Sequence, residues 1–330
     1  RQSKIFSVGE EAAIFPCVMA WAATMLKQAG HEVIWQDGPA RGWTWQQQFP
    51  SLKQYAPDLV CWEVKTPSAP RAYEAVKQLK ASCPETIVVL VGDHVTALPE
   101  EALEATGATI LTGGDYDFGL VNLIEDAARG VPLWGTVVHY DTKTPLDNLP
   151  PIDRELCRWR DYSRMGNYLY RPGTHGYSAR DCWWRHEGGC TFCSWTNTFK
   201  NYRQLSVDQF MADVESSHAL GAREYFDDAG TWAPPGRWFA DAVERLGRFN
   251  GWRPHYRARL SIGCNDRPGA RSRSDYRAMA AAGFRFILYG LESANYETLQ
   301  RINKGQHAED MRHAARDASQ AGLQPHLTVM

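Results

Sequence analysis

Through the first third of the chain, short apolar runs alternate with longer segments whose apolar positions recur every three or four residues. KIFSV (4–8), HEVIWQD (31–37), DLVCWEV (58–64), TIVVLVG (86–92) and ATILTGG (108–114) read as strands, because each is rich in β-branched or aromatic residues and most close on Gly or a polar turn. Between them, Met19 to Gly30, Arg71 to Ser82 and EEALEAT (100–106) carry helical spacing, the first stopped by Gly30. This alternation predicts a doubly wound, Rossmann-like parallel sheet over residues 1–130. Ligands of such sheets lie beyond the carboxyl ends of the strands, which places GEE (9–11), KTPS (65–68), GDHVT (92–96) and GGDY (113–116) along one rim.

From residue 131 to 170 the pattern dissolves into Pro, Asp and Arg, as in DNLPPIDREL (147–156), and predicts a linker. A second alternating series fills 171–330. THGYSAR (174–180), REYFDDAG (223–230), RPHYRARL (253–260), FRFILYGLES (284–293) and QPHLTVM (324–330) are strand-like. Helices are expected from Ser206 to Leu220, Gly236 to Phe249, Ser274 to Gly283 and Ala308 to Gly322. Consecutive βα units of this kind predict a partial TIM-like (β/α) barrel. In HYRARL, period-two alternation sets His255, Arg257 and Arg259 on one face, which would point inward because helices cover the outside of a barrel. The chain stops at Met330 inside an apparent strand, so it reads as a fragment of a longer protein.

Composition narrows the class. Of 330 residues, 44% are hydrophobic and 22% charged, enough apolar material for a sizeable core. A net charge of −2 points to no nucleic-acid or anionic-lipid partner. The most apolar run, AAIFPCVMAWAATML (12–26), follows Glu10 and Glu11, contains Pro16 and is short for a membrane span, so a buried helix is expected and no membrane partner. Five of the eight cysteines are scattered and three are clustered, which suits the reduced cytoplasm and one metal site better than a disulfide framework.

That cluster is DCWWRHEGGCTFCSW (181–195), with Cys182, Cys190 and Cys193 at the spacing C-x7-C-x2-C. Three thiolates leave one coordination position open, as in sites that bind substrate at a metal. With His186 included, the same stretch offers a complete four-ligand zinc set, and spacing alone leaves zinc and iron–sulfur equally open. The cluster follows the first strand of the barrel series, on the side where barrel chemistry gathers.

Here the sequence resembles the cobalamin-binding branch of the radical S-adenosylmethionine enzymes. They carry three cysteines after the first barrel strand, spaced C-x3-C-x2-C with an aromatic before the last, and CTFC (190–193) matches the second half, with Phe192 as that aromatic. His186 stands where the first cysteine is usual, and Cys182 lies four residues earlier, so the resemblance implies Cys182, Cys190 and Cys193 as ligands of a 4Fe–4S cluster in a lengthened loop. FDDAGTW (226–232) resembles the family's F-x-D-D-x-F element, implying that Asp227 and Asp228 meet the amino group of S-adenosylmethionine. Arg257 or Arg259 would clamp its carboxylate. GLES (290–293), followed by Leu299 and NKG (303–305), resembles the fourth-strand segment, implying Glu292 and Ser293 at the ribose or amino end of the cofactor.

In the first half, AGHEV (29–33), PDLV (57–60), VGDHVTALPEE (91–101) and GGDY (113–116) are similar to the family's cobalamin domain. Departures fall at Val91, Asp93, Asp115 and Tyr116. The rim then implies cobalamin contacts from Lys65, Thr66, Ser68, Gly92, His94, Thr96, Gly113 and Gly114. D-x-H-x-x-G is absent, so His94 is not assigned to cobalt.

The resemblance implies reductive cleavage of S-adenosylmethionine to a 5′-deoxyadenosyl radical, with cobalamin delivering a methyl group to an unactivated carbon of a small-molecule substrate. It also implies a low-potential electron donor such as flavodoxin or ferredoxin. Two alternatives stand beside it: oxidation or ring closure without methyl transfer, and a zinc-stabilised, non-catalytic binding protein using Cys182, His186, Cys190 and Cys193.

Overall fold

A computed structural model describes residues 13–140, 144–164, 168–199 and 201–329, and of residues 186–187 and 196–197 the backbone alone. The expected strand at 4–8 and the GEE rim segment lie outside them. Helix α1 (Cys17–Gln28) starts after Pro16 and runs to a left-handed Gly30 at φ 94°. A short helix, α2 (Gly38–Arg41), is capped by the Asp37 side chain, which accepts from the Ala40 N–H at 3.1 Å. A capping box of Thr44 and Gln47 opens α3 (Trp45–Tyr55). The chain then alternates through β1 (Leu59–Glu63), α4 (Ala69–Ser82), β2 (Ile87–Val91), α5 (Asp93–Ala97), α6 (Pro99–Thr106), β3 (Thr109–Thr112), α7 (Tyr116–Ala128) and β4 (Val137–His139).

These four strands are parallel and lie in the order β1-β2-β3-β4. Alternation in β2 shows why both faces are covered. Val88 and Leu90 pack with Val76 and Leu79 of α4 and Ala102 of α6, while Val89 and Val91 pack with Ala22 and Leu26 of α1 and Leu120 of α7. The expected strand at 31–37 forms no ladder. Its polar ends are spent on side-chain contacts instead: Trp35 Nε1 donates to the Tyr162 hydroxyl at 3.1 Å, and Asp37 both caps α2 and accepts from that hydroxyl at 2.8 Å.

The stretch 131–170, expected as a linker, contributes β4 to the first sheet. Leu146, Leu149, Ile152, Cys157, Trp159 and Tyr162 are also buried in a core shared with α1 and the second half of the chain. These side chains are spaced without period between Pro and Asp, so each is buried singly and no repeat announces it.

The second half runs β5 (Gly173–Gly176), β6 (Ala179–Arg180), α8 (Trp195–Thr198), β7 (Arg203–Gln204), α9 (Val207–Ala219), β8 (Glu224–Asp227), α10 (Arg237–Asn250), β9 (Ser261–Asp266), α11 (Arg273–Ala281), β10 (Phe284–Glu292), α12 (Tyr296–Arg301), α13 (Ala308–Gln320) and β11 (Gln324–Val329). Five strands form one parallel sheet in the order β5-β8-β9-β10-β11, the run of a partial barrel. Side-chain caps set several helix starts, as at Ser206, Ser272 and Asn295. THGYSAR splits into β5 and β6, and β6 leaves the barrel to pair antiparallel with β7.

RPHYRARL is not a strand. The Pro254 carbonyl accepts from the Arg257 and Ala258 N–H groups at 2.8 and 3.0 Å, closing a turn, and the third barrel strand begins only at Ser261. Arg257 and Arg259 therefore lie at the amino end of β9, the end away from the loops that follow the strands. The inward arginine face expected for the cofactor carboxylate does not form. Among the described residues no helix is long and apolar enough to cross a membrane.

Leu79 is fully buried between α4 and the sheet. Leu79→Ala is expected to lower unfolding free energy by about 2–5 kcal/mol. Lys77→Ala, on the exposed face of the same helix, should stay within about 0.5 kcal/mol of the parent in denaturant unfolding.

Candidate functional site

The carboxyl ends of β1, β2 and β3 release three loops onto one rim. Two glycines are required there by geometry. Gly92 has φ 106° and a Cβ on it would lie 2.9 Å from the Val64 carbonyl; Gly113 has φ 108° and its Cβ would lie 2.2 Å from the Tyr140 carbonyl. Lys65 reaches Glu63 at 3.0 Å and Asp93 at 3.1 Å, and the Tyr116 hydroxyl donates to the same Glu63 oxygen at 3.1 Å. Burial works against the Lys65 ammonium, but Glu63 and Asp93 outweigh it and hold its pKa above the ordinary lysine value.

His94 is 6% exposed, with Nε2 2.9 Å from the Tyr73 hydroxyl and Nδ1 3.2 Å from Thr66 Oγ1. Both ring nitrogens are engaged within the protein. Thr96 Oγ1 donates to the Gly92 carbonyl at 2.8 Å and accepts from the Gly113 N–H at 3.1 Å, tying two rim loops together. Of the rim residues read from sequence, Lys65, Thr66, Ser68 and Gly114 line the open cleft, whereas Gly92, His94, Thr96 and Gly113 shape the loops from behind.

Facing this rim, the cysteine loop leaves β6. A single 3-10 turn (Trp183–Glu187) is followed by left-handed Gly188 and Gly189, at φ 94° and 68°, which turn the chain back toward Cys190. The segment after α12 clamps the loop. Asn303 Nδ2 donates to the Gly189 carbonyl at 2.7 Å, the Thr191 N–H donates to the Ile302 carbonyl at 3.0 Å, and Trp184 Nε1 donates to the Asn303 carbonyl at 3.3 Å. Arg267 stacks on Trp184 at 3.8 Å and donates to the Gly305 carbonyl at 2.8 Å.

Cys182, Cys190 and Cys193 are half-buried cysteines in this one loop, in no disulfide, with Cys182 Sγ 3.0 Å from Thr231 Oγ1. Among the described residues no three His, Cys, Asp or Glu side chains close into a metal-holding set, and the His186 side chain lies outside those described. Burial pushes the Cys190 thiol up, Lys304 and Arg267 pull it down, and Cys193 and Cys182 raise it again. By chemistry, three thiols on one loop beside two cations suit a thiolate-bound cluster, although among the described residues they are not drawn together around one point.

Two carboxylates end β8. Asp227 is fully buried. Its Oδ1 accepts from the Ser178 and Ala229 N–H groups at 3.2 and 3.0 Å, while Oδ2 has no partner among the described residues. Burial raises its pKa to about 6. Asp228 faces the cleft and accepts from Asn265 Nδ2 at 3.1 Å, and burial, with Asp227 adding, raises it to about 7. Glu292 closes β10 in a left-handed conformation at φ 60°, held by Lys304 at 3.0 Å. Ser293 Oγ accepts from the Asn295 N–H at 3.1 Å, and Phe192 lies under Lys304 at 5.7 Å.

A cleft of about 2160 Å³ lies between Lys65, Asp93 and Gly114 on the sheet side and Tyr177, Trp195 and Asp228 on the barrel side; the three cysteines, Asp227 and Glu292 stand outside its lining. Sequence reading missed Asn265 and Arg267, because it placed the third barrel strand too early. The turn signal DRPG after SIGCND marks the end of the real strand.

Family comparisons agree with both halves. A B12 binding domain model matches residues 14–116, and a radical SAM superfamily model matches residues 179–330. An uncharacterized methyltransferase of Pyrococcus horikoshii is 24% identical over 93% of this chain and 67% of its own length. Bacteriochlorophyllide d C-8(2)-methyltransferase of Chlorobaculum tepidum is 28% identical over 81% of this chain and 57% of its own. The solved structure of the cobalamin-dependent S-adenosylmethionine radical enzyme OxsB with aqua-cobalamin bound superposes on 97% of this chain and 47% of its own, with a TM-score of 0.77 at 16% identity, a likeness of fold. The chain thus spans between about half and two thirds of the length of these proteins.

Two expectations follow from the geometry. His94→Ala should leave the absorption spectrum of added cobalamin unchanged, and a lost nitrogen ligand to cobalt would contradict the Tyr73 and Thr66 contacts. Cys182→Ala should lose iron on anaerobic reconstitution while His186→Ala retains it, read by iron and sulfide content, since thiolate suits iron–sulfur ligation better than imidazole.

Proposed function

Because the chain belongs to the cobalamin-binding radical S-adenosylmethionine enzymes, we propose that it binds a 4Fe–4S cluster, S-adenosylmethionine and cobalamin and methylates an unactivated carbon of a small molecule. The observation that carries this reading is the cleft lined by Lys65, Thr66, Ser68 and Gly114 of the first sheet's rim on one side and by Tyr177 and Asp228, which follow barrel strands, on the other. Cofactors held on the two walls share one reaction space, and positioning of this kind is the protein's main share when cofactors do the hard chemistry.

In this reading Cys182, Cys190 and Cys193 would hold the 4Fe–4S cluster, with S-adenosylmethionine bound beside it. Asp227 and Asp228 would receive the positive amino group, and Asp227 Oδ2, without a hydrogen-bond partner among the described residues, is an acceptor for it. Glu292 and Ser293 serve the ribose end. With Arg257 and Arg259 at the opposite end of β9, Arg267 is the guanidinium on the cysteine-loop side available to the cofactor carboxylate. Lys65, Thr66, Ser68 and Gly114 would contact cobalamin, and His94, with both ring nitrogens engaged by Tyr73 and Thr66, would not be a ligand to it. When bound, these groups supply reductive cleavage of S-adenosylmethionine to a 5′-deoxyadenosyl radical and a carrier for the methyl group. Tyr177 and Trp195 line the space between them with aromatic surface. The electron would come from a low-potential flavodoxin or ferredoxin, and eight cysteines that form no disulfide suit the cytoplasm.

Anaerobically reconstituted protein should be brown, carry about four irons per chain, and form 5′-deoxyadenosine from S-adenosylmethionine under a strong reductant. Cys193→Ala should abolish both. Undiminished 5′-deoxyadenosine from that variant would sink the assignment, and one zinc without sulfide would replace it by the zinc-stabilised binding protein.

A further inference from the structure

The cysteine loop leaves the barrel and returns to it through the short antiparallel ladder of β6 and β7, in which Arg180 lies directly opposite Arg203. Like charges in that position destabilise a ladder, and here Arg180 is fully buried. The counter-charge comes from the other half of the chain. Arg180 Nη2 donates to Asp117 Oδ2 at 2.6 Å, Arg203 Nη2 donates to Asp115 Oδ2, and Arg180 Nη1 lies 3.5 Å from Asp115 Oδ1. Asp115 and Asp117 closely follow Gly113 and Gly114, on the rim at the carboxyl end of β3.

Two further contacts join the same pieces. The Gly114 N–H donates to the Thr198 carbonyl at 2.8 Å. The Phe199 ring occupies the space beside Gly114, where a Cβ would come within 2.2 Å of it. Thus both stems of the loop, on either side of Cys182, Cys190 and Cys193, meet the same short stretch of the rim.

Buried ion pairs are weak stabilisers because desolvation offsets their attraction. This one is also incompletely satisfied: Asp117 Oδ1 and Arg180 Nε have no hydrogen-bond partner among the described residues. What buried charges impose well is register, since a slip of the stem would leave bare charges in the interior.

We propose that Asp115 and Asp117 are positioning residues that staple the stem of the cysteine loop to the rim of the first sheet, and so set the separation of the cluster and cobalamin. The inference rests on the proposed function for the identity of the two groups. It also accounts for the acidic departure at Asp115, which with Asp117 answers the two arginines of the stem.

The test uses the full chain loaded with both groups, reduced cluster and cob(II)alamin being paramagnetic. In the parent, the reduced cluster should speed relaxation of the cob(II)alamin electron-spin signal through their dipolar coupling. Asp115→Asn/Asp117→Asn should keep iron and cobalamin content yet lose most of that enhancement. Asp115→Asn/Arg203→Gln, which removes one charge from each side, should regain more of it than Asp115→Asn alone, and this pair decides the matter if Asp115→Asn/Asp117→Asn fails to fold. Parent-like coupling in loaded Asp115→Asn/Asp117→Asn, or no recovery in the charge-paired variant, overturns the staple. A parent protein that takes up neither group overturns the proposed function instead, before any variant is compared.

Discussion

Arg180 is a fully buried guanidinium opposite a second arginine, and the structure around it follows from the need to answer that charge. Asp117 supplies the direct partner at 2.6 Å, and Asp115 is shared between Arg180 and Arg203. Three aromatic rings complete the enclosure, with the guanidinium carbon 5.1 Å from Trp21, 5.7 Å from Tyr177 and 5.9 Å from Phe199. These side chains come from α1, the stem region and the segment after α8. One cation thereby gathers the first helix, the first sheet and the cysteine loop, and water has no route to screen it.

Parallel winding makes this meeting useful. A parallel strand is reached only by a crossover, so helices take the outside and the carboxyl ends of all strands in a sheet fall on one edge. In the first sheet that edge holds Lys65, Gly92 and Gly113; in the second it holds Asp227, Asp228 and Glu292. Lys65 from the first edge and Asp228 from the second line one cleft. Within it, satisfied and unsatisfied polar groups separate scaffold from site. His94 has both nitrogens occupied and Thr96 bridges two loops, so they hold the rim's shape. Asp227 Oδ2 is buried with no hydrogen-bond partner among the described residues, a cost that a cationic ligand would remove.

Much of the fold was legible because burial leaves a period. In β2, Val88 to Val91 are buried on both faces and read as a continuous apolar run; α9, α11 and α13 begin close to the positions their capping residues mark. Reading failed where alternation had another cause. HYRARL alternates, yet Pro254 closes a turn there and the strand starts at Ser261. HEVIWQD has strand composition but spends its polar groups on Tyr162 and on capping α2. The 131–170 stretch hides a strand and several core residues because no period links them.

For the site, the sequence by itself determined the chemistry in reach: three thiols within one short loop, paired carboxylates after a strand, glycines where a rim must be approached closely. These are local, since spacing along the chain limits what a few neighbouring residues can ligate. It could not place Arg267 beside Trp184, because that contact joins the end of β9 to a cysteine loop far from it in sequence. Nor could it pair Arg180 with Asp117, 63 residues apart. Charges and stacking act through space with no regard for sequence separation, so which arginine faced the site, and what held the two halves together, was decided by the tertiary structure alone.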